Sequence, residues 1–442
     1  MRIMVDMSAT LLHHGHVRLL RRAKDYGTVV VGLTADDEVL RRKGYRPELP
    51  FDARKEILES IRYVDEVVET PWLITLGVLE AHNIDALLHG SDNVNDVPSE
   101  QLMVVPRTPG ISSSDLRKRS IASIVDKSRK AVFSTDHGSL LAENILGLEP
   151  CCGRGDPGYQ MLEERVLARL RQMTGHERIV ALPGSASLAL EVAVQNFVVG
   201  RTLVVATGEY AGRFISYCQA ARRRGNISSL EVVPIDGMAD ASGRYDWLVA
   251  VSTESRIGYK KDIRMLRSLA DRIGAQLLVD ATGSVGLEDG HELADVIGYS
   301  SCNGLFGLTG SSFIAYNKEP VACDSSSYLN LATHAGRQVT GPYHAICSLD
   351  QVLPRHHDIR ESVMIGKRVF CHRYADRLVH SPDSQPLLCT LVRGIVRGVD
   401  ENVIVYQAPA AMPGTSVVCH LGEGHLGNGA SGAIYDRITI DD

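Results

Sequence analysis

Short apolar runs alternate with amphipathic segments over the first part of the chain. Arg2 to Met7, Thr28 to Leu33, Val64 to Val68, Ala86 to His89 and Met103 to Val105 read as strands. Val17 to Tyr26, Asp52 to Ile61 and Trp72 to His82 carry helical spacing between them. Strands that alternate with helices predict an α/β domain with a mainly parallel sheet. The polar, basic stretches Arg117-Lys118-Arg119 and Lys127 to Lys130 follow, and the first domain is placed at residues 1–125, with the boundary at about residue 130. From Ala131 the pattern restarts with the Gly-rich C-C-G-R-G-D-P-G-Y and a long helix-like stretch from Gln160 to Met173. Strand-like runs at Thr202 to Ala206, Trp247 to Val251 and Gln276 to Val279 then alternate with helical segments, which predicts a second α/β domain over 131–380. The tail mixes strand-like Glu401 to Gln407 and Thr415 to His420 with a Gly-rich run through Gly432, and predicts a small α+β lobe over 381–442.

Composition narrows the function classes. A chain of 442 residues with 44% hydrophobic and 23% charged residues has the material for about two to four folded domains. The net charge of −6 gives no electrostatic case for binding nucleic acid or an anionic membrane, so anionic small molecules need local basic residues. The nine cysteines are scattered with no C-x-x-C spacing, which fits reduced thiols and argues against a metal site. No run approaches the ~20 apolar residues of a membrane span, and the N-terminus has no signal-like apolar core. A soluble, cytoplasmic protein is expected.

Directly after the first strand stands S-A-T-L-L-H-H-G-H-V-R-L-L-R-R-A-K, in which His13 and His16 bracket Gly15 where a helix begins. The free N–H groups and dipole of a helix N-terminus favour an anion. Two imidazoles there can donate to the α-phosphate of a nucleoside triphosphate as charge builds on its oxygens, and Gly15 lets the backbone come close. Alone, H-x-G-H is equally a turn with two surface histidines. Near the end of the same domain, however, R-T-P-G-I-S-S-S-D-L-R-K-R places Arg107 and the hydroxyls of Ser112, Ser113 and Ser114 ahead of another helix start. Two phosphate cradles at the strand ends of one sheet suit a triphosphate lying across them.

With R-K-E-I-L-E-S-I-R-Y-V-D-E-V-V and H-G-S-D at 89–92, these motifs resemble the cytidylyltransferases of the H-x-G-H nucleotidyltransferase superfamily over about residues 1–120. The resemblance implies a Rossmann-like nucleotidyltransferase domain. In it His13 and His16 contact the triphosphate and stabilise the transition state, Lys43 reaches the phosphates, and Arg107, Ser112 and Ser113 bind CTP. Serines stand where the family usually has threonines after the first serine of its last motif, which keeps the hydroxyls. Asp92 has two readings, as a lining residue of the acceptor or base pocket and as a turn or cap residue. The implied reaction is in-line attack of a phosphate or phosphonate oxygen on the CTP α-phosphorus, with Mg2+ and basic residues neutralising the departing pyrophosphate and no covalent intermediate.

The second half runs from a buried strand ending at Asp280 to S-S-C-N-G-L-F-G-L-T-G. With G-S-A-S at 184–187, T-G-E-Y-A-G-R at 207–213, T-E-S-R-I-G at 253–258 and V-D-A-T-G-S-V-G around Asp280, it resembles fold-type I aminotransferases, in the class V branch containing 2-aminoethylphosphonate–pyruvate aminotransferase. The resemblance implies a pyridoxal phosphate pocket. Ser185, Ala186 and Ser187 would cup the cofactor phosphate, and Asp280 would pair with the pyridine nitrogen. Asn303 stands where that family keeps the lysine that holds the aldehyde as an imine. An amide nitrogen gives its lone pair to its carbonyl and forms no imine.

Three readings of this half stay open. It is a pseudo-aminotransferase serving as a dimer interface or substrate platform; it binds pyridoxal or pyridoxamine phosphate without a covalent link; or Lys260 or Lys261 replaces the missing amine. Arg437 is a further candidate for gripping a carboxylate or phosphonate. Together the two resemblances imply transfer of CMP to a small phosphonate such as 2-aminoethyl- or 2-hydroxyethylphosphonate. The alternatives are a bifunctional cytidylyltransferase and aminotransferase, a phosphate monoester acceptor such as glycerol 3-phosphate, and a scaffold in which neither site turns over. A homodimer is expected because fold-type I domains usually pair to complete their pockets.

Overall fold

Strand β1 (Arg2–Met7) is buried along most of its length, and one acid, Asp6, interrupts its apolar run. The computed structural model describes residues 1–92, 94–127, 130–135, 140–149, 151–321, 327–405, 412–426 and 432–441. The chain divides into two units, Met1–Ser123 and Ile124–Asp442.

In the first unit β1 is followed by α1 (His14–Lys24), β2 (Thr28–Thr34), α2 (Asp36–Lys43), α3 (Phe51–Glu59), β3 (Glu66–Thr70), α4 (Leu76–Ala81), β4 (Ala86–Gly90), β5 (Leu102–Val105) and α5 (Ser113–Lys127). The five strands are all parallel, in the order β3-β2-β1-β4-β5. Alternate residues feed opposite faces: Ile3, Val5, Val29 and Val31 join one core cluster, Met4, Val30 and Leu87 the other. The winding reverses between β1 and β4. Ligands of open parallel sheets sit outside the strand ends at such a reversal.

A single guanidinium ties those ends together. Arg54 on α3 is 1% exposed and donates to the carbonyls of Ser8, Thr34 and Leu49 and to the Asp36 carboxylate. It thereby fixes the exits of β1 and β2 and the start of α2. A buried cation is tolerated because every acceptor around it is a carbonyl or a carboxylate. Helix α5 begins at the helix start expected after S-S-S and runs on through the basic Arg117-Lys118-Arg119 to Lys127, and Ser128 and Arg129 lie outside the described residues. Its apolar residues Ile121, Ile124 and Val125 recur at helical spacing among the polar ones.

The second unit begins with β6 (Ala131–Val132), α6 (Ala142–Leu146) and α7 (Pro157–Thr174). It continues through β7 (Arg178–Pro183), α8 (Ala186–Phe197), β8 (Gly200–Ala206), α9 (Glu209–Arg223), β9 (Ile227–Pro234), β10 (Trp247–Val251), the hairpin β11 and β12 (Thr253–Glu254 and Tyr259–Lys260), α10 (Ile263–Ile273), β13 (Gln276–Asp280), β14 (Val296–Ser300) and β15 (Ser311–Tyr316). A seven-stranded sheet runs β7-β15-β14-β13-β10-β8-β9, with β15 antiparallel to both neighbours. Leu203, Leu248, Ala250, Leu277 and Val279 enter one core, and Val204, Val249, Val251 and Leu278 the other, the period-two signature of a sheet covered on both faces.

The tail does not close on itself at 381. Residues Val403–Ile404 pair with β6, and Ala131 and Phe133 share a cluster with Phe370, Val396, Val418 and Tyr435. The lobe thus takes part of its core from the start of the unit and from the helix His356–Arg373, because the tail alone has too few apolar residues to bury. The expected strand at Glu401 to Gln407 is described only through Val405, and residues 427–431 of the Gly-rich run lie outside the described residues.

Candidate active site

His13 is the N-cap of α1, in extended backbone conformation, and its Nδ1 accepts a hydrogen bond from the Gly15 N–H at 3.2 Å. The His16 Nδ1 accepts from the His13 N–H at 3.3 Å, so two rings do what a Ser and a Glu do in an ordinary capping box. The ring centroids are 3.9 Å apart. With both Nδ1 atoms occupied as acceptors, the proton of each neutral ring sits on Nε2, and each ring is an uncharged donor. Burial, then the neighbouring His13, Lys43 and Arg107, push His16 down to about 3. Burial followed by His14 and Arg107 also lowers His13. A polyanion is therefore met by neutral donors at a helix N-terminus whose own dipole is positive.

Gly15 has a role in the cap itself. A Cβ there would stand 2.9 Å from the His13 Nδ1 and 3.3 Å from Ile111, so the glycine makes room for the capping ring. His13, Gly15, His16, Lys43, Asp92, Arg107, Ser112 and Ser113 all line one open cleft of about 1130 Å3. Within it Lys43 donates to the Ser8 Oγ at 2.9 Å and stands 5.3 Å over the Trp72 ring. Arg107 and Asp92 form an ion pair at 3.1 Å, both about half exposed, so Asp92 tethers the guanidinium as well as lining the cleft. Ser112 is an N-cap. Its hydroxyl donates to the Asp115 carboxylate at 2.7 Å and accepts from the Asp115 N–H at 3.0 Å, which leaves it one lone pair rather than a free hydroxyl. Ser113 donates to the Leu11 carbonyl at 3.2 Å and ties α5 to the loop before α1.

The cleft also holds residues the sequence did not single out. Arg117 lies 4.5 Å over the Tyr45 ring and pairs with Glu48. Its place one helical turn past S-S-S was the available signal. Asp6 and His89 lie at the ends of β1 and β4, and Asp6 is the one acid in an otherwise apolar strand.

In the second unit Ser185, Ala186, Ser187, Asp280 and Asn303 line a cavity of about 340 Å3, near the lower size of small-molecule sites. Ser185 caps α8 without using its side chain, and Arg213 reaches the Ser187 Oγ at 3.4 Å. Arg213 closes the T-G-E-Y-A-G-R motif, which is how the sequence could have exposed it. Asp280 at the end of β13 accepts from the Thr282 N–H at 2.9 Å, and burial raises its carboxyl above the usual range. Glu254 of the T-E-S-R-I-G motif is 1% exposed and accepts from the Ala211 N–H at 3.1 Å and the Thr207 hydroxyl at 2.9 Å, a cap for α9. Asn303 adopts a left-handed φ of 52° and donates to the Thr282 carbonyl at 3.3 Å.

No lysine lines this cavity among the described residues. Lys260 is held by Glu288 at 3.0 Å, and neither it nor Lys261 reaches the lining. Arg437 also lies outside it, where both Asp400 oxygens accept from it at 3.0 Å. A loop lysine and a tail arginine are each satisfied by a nearby acid, so neither is presented to the cavity. Buried hydroxyls of Thr253 and Ser311 line the cavity without partners among the described residues, which suits a polar ligand.

A cytidylyltransferase-like family profile matches residues 10–119. Glycerol-3-phosphate cytidylyltransferase of Bacillus subtilis (strain 168) is 40% identical over 113 residues, covering 24% of this chain and 88% of the relative. Ethanolamine-phosphate cytidylyltransferase of Mus musculus is 31% identical over 132 residues, covering 27% of this chain and 32% of the relative. The chain thus spans most of the bacterial relative and about a third of the mouse one. An alanine–glyoxylate aminotransferase from Nostoc sp. shares the fold with a TM-score of 0.58 at 14% identity, covering 69% of this chain and 92% of that one. Only the second unit is long enough to supply that span. No described helix is long and apolar enough to cross a membrane.

The depressed His16 has a consequence for stability. Below the ordinary imidazole value of about 6.5 the unfolded chain takes up a proton that the folded ring refuses, so stability falls with pH from there toward about 3. The wild type should lose up to about 2 kcal/mol more than His16→Gln between pH 7 and pH 5. Urea unfolding followed by Trp72 fluorescence in a Trp247→Phe background measures this, and equal losses in the two proteins would contradict the burial of a neutral ring.

Proposed function

Since this chain belongs to the cytidylyltransferase-like family, we propose that its first unit transfers CMP from CTP to a small phosphonate, with 2-aminoethyl- and 2-hydroxyethylphosphonate as the acceptors to consider first. It is a CTP-dependent nucleotidyltransferase, and the observation that carries the reading is the histidine pair capping α1. A phosphonate oxygen supplies the electron pair for the new bond to the α-phosphorus. The bond from that phosphorus to the bridging oxygen breaks, and its pair leaves with pyrophosphate. A phosphonate dianion has no proton to lose, so the step needs donors to the α-phosphate rather than a general base. His13 and His16 supply them, and Lys43 and Arg107 lie where the β- and γ-phosphates can spread.

Mg2+ would enter with the triphosphate that it chelates. When bound it draws charge from the departing pyrophosphate. The motifs quoted above for the second unit, which resemble those of an aminoethylphosphonate enzyme, support a phosphonate over a phosphate monoester by association. A cytoplasmic homodimer completes the proposal. The free thiols of the described cysteines are in keeping with that compartment.

The full-length protein should release pyrophosphate from CTP and Mg2+ with a phosphonate acceptor faster than with glycerol 3-phosphate or phosphoethanolamine. His16→Ala should lower kcat by about 10²–10³, as expected for loss of one transition-state donor. A preference for glycerol 3-phosphate would overturn the acceptor class, and silence with every acceptor would overturn the reaction.

For the second unit we propose non-covalent binding of pyridoxal or pyridoxamine phosphate, with no transamination through position 303. The start of α8 at Ser185 to Ser187 and Arg213 would hold the phosphate, Asp280 the pyridine nitrogen, and the unpartnered hydroxyls the remaining polar atoms. When bound, the ring supplies an electron sink. Pyridoxal phosphate should therefore bind reversibly, be lost on gel filtration, and leave no stoichiometric lysine adduct after borohydride, whereas Asn303→Lys should retain it. A stoichiometric adduct on the wild type, located by peptide mapping, would instead identify a substitute amine and revive the bifunctional reading.

A further inference from the structure

Position 303 offers the cavity of the second unit an acceptor in place of an amine. Asn303 follows β14 in a left-handed backbone conformation, φ 52°, which asparagine adopts more readily than most residues. Its Nδ2 donates to the Thr282 carbonyl at 3.3 Å. A carbonyl can only accept, so the amide is fixed with its nitrogen toward Thr282 and its Oδ1 turned away from it. That Oδ1 accepts from no described residue. Thr282 also donates its own N–H to the Asp280 carboxylate at 2.9 Å, so one residue orients both the buried acid and the amide.

Among the described residues the lining holds one cation, Arg213, and one anion, Asp280. Arg213 reaches the Ser187 Oγ at the start of α8, on the side proposed for the phosphate. A pyridoxyl ligand carries a phosphate dianion, and a proton shared between its ring nitrogen and Asp280 offsets only part of that charge. Pyridoxal phosphate brings no further positive group, and its aldehyde oxygen is an acceptor that would confront the Asn303 Oδ1. Pyridoxamine phosphate brings a primary ammonium, protonated near pH 7 as a lysine is. It has a proton for Oδ1 and further protons for the hydroxyl oxygens of Thr253 and Ser311, which are 5% and 1% exposed and unpartnered among the described residues.

We infer that this cavity selects pyridoxamine phosphate over pyridoxal phosphate, with the Asn303 Oδ1 accepting from the ligand's ammonium, so that the ligand brings the amine the chain lacks. The inference rests on the reading of the second unit as a non-covalent site for these ligands. They differ only in the group opposite the ring nitrogen, and Asn303 stands where the resembling family keeps the lysine that bonds to that group.

Equilibrium dialysis of the full-length protein tests this with pyridoxamine phosphate, pyridoxal phosphate and 4-deoxypyridoxine phosphate, which has a methyl group in place of the amine. Pyridoxal phosphate is read by its displacement of pyridoxamine phosphate, so that imines on surface lysines do not count. The wild type should bind pyridoxamine phosphate about 10–10²-fold more tightly than either of the others, as one hydrogen bond to a charged group provides. Asn303→Gly keeps the left-handed backbone and removes the acceptor, and should bring both ratios toward one. Asn303→Asp keeps an acceptor in place and should preserve the preference. A wild type that binds pyridoxal phosphate as tightly as pyridoxamine phosphate, or an Asn303→Gly variant that keeps the wild-type ratios, would overturn the selection and leave non-covalent binding standing. Failure of all three ligands to bind would overturn both. Should Asn303→Gly fail to fold, the wild-type ratio still decides.

Discussion

The N-terminus of α1 is closed by two imidazole rings instead of by a hydroxyl and a carboxylate, and the behaviour of the cleft follows from that substitution. Each ring spends its Nδ1 lone pair on a backbone N–H, which fixes its tautomer and its place at the strand ends. Structure and chemistry are then inseparable. In the proposed reaction the cap that starts the helix would also be the pair of donors that meets the α-phosphate, and Gly15 is required because a side chain there would displace the capping ring. Arg54 supplies the matching constraint from below by holding the exits of β1 and β2 at one height. Donors aimed in advance at a developing charge lower a barrier without reorganising at the moment of reaction.

Charge in the cleft is sorted by position. Neutral donors and cations gather at the starts of α1 and α5 and the end of α2, where a triphosphate can lie, and the one buried acid with an unmet oxygen sits at the ends of β1 and β4. The cavity of the second unit has a cradle at the start of α8 and a buried aspartate, and among the described residues no lysine lines it.

Most of the framework was legible because the sheets are buried on both faces and their strands read as continuous apolar runs. Trp247 to Val251 is found at its expected limits, and Arg2 to Met7 likewise. Helix α2 escaped because D-D-E-V-L-R-R-K has no apolar stripe. Its order lies in charge, with acids in the first turn and bases in the last, and in the attachment of Asp36 to Arg54. The helix start after Ser114 was legible, but its run on to Lys127 was not, since basic residues interrupt its apolar pattern. At the site, motif reading brought the right residues together but could not say how each hydroxyl is spent, as with Ser112 in its cap. The approach of His89 to Asp6 was not legible for another reason: it depends on a strand that is adjacent only in space, where β4 pairs with β1.

The account stands on two uncharged rings that present their Nε2 protons to the cleft. The direct measurement is the 15N and 1H spectrum of the His13 and His16 side chains in the full-length protein, followed from pH 7 to pH 5 with and without CTP. The account predicts that His16 remains the neutral Nε2–H form across that range in the free protein, and that CTP shifts the Nε2 signals of both rings. A charged or Nδ1-protonated His16 at pH 7, or signals that ignore CTP, would contradict it.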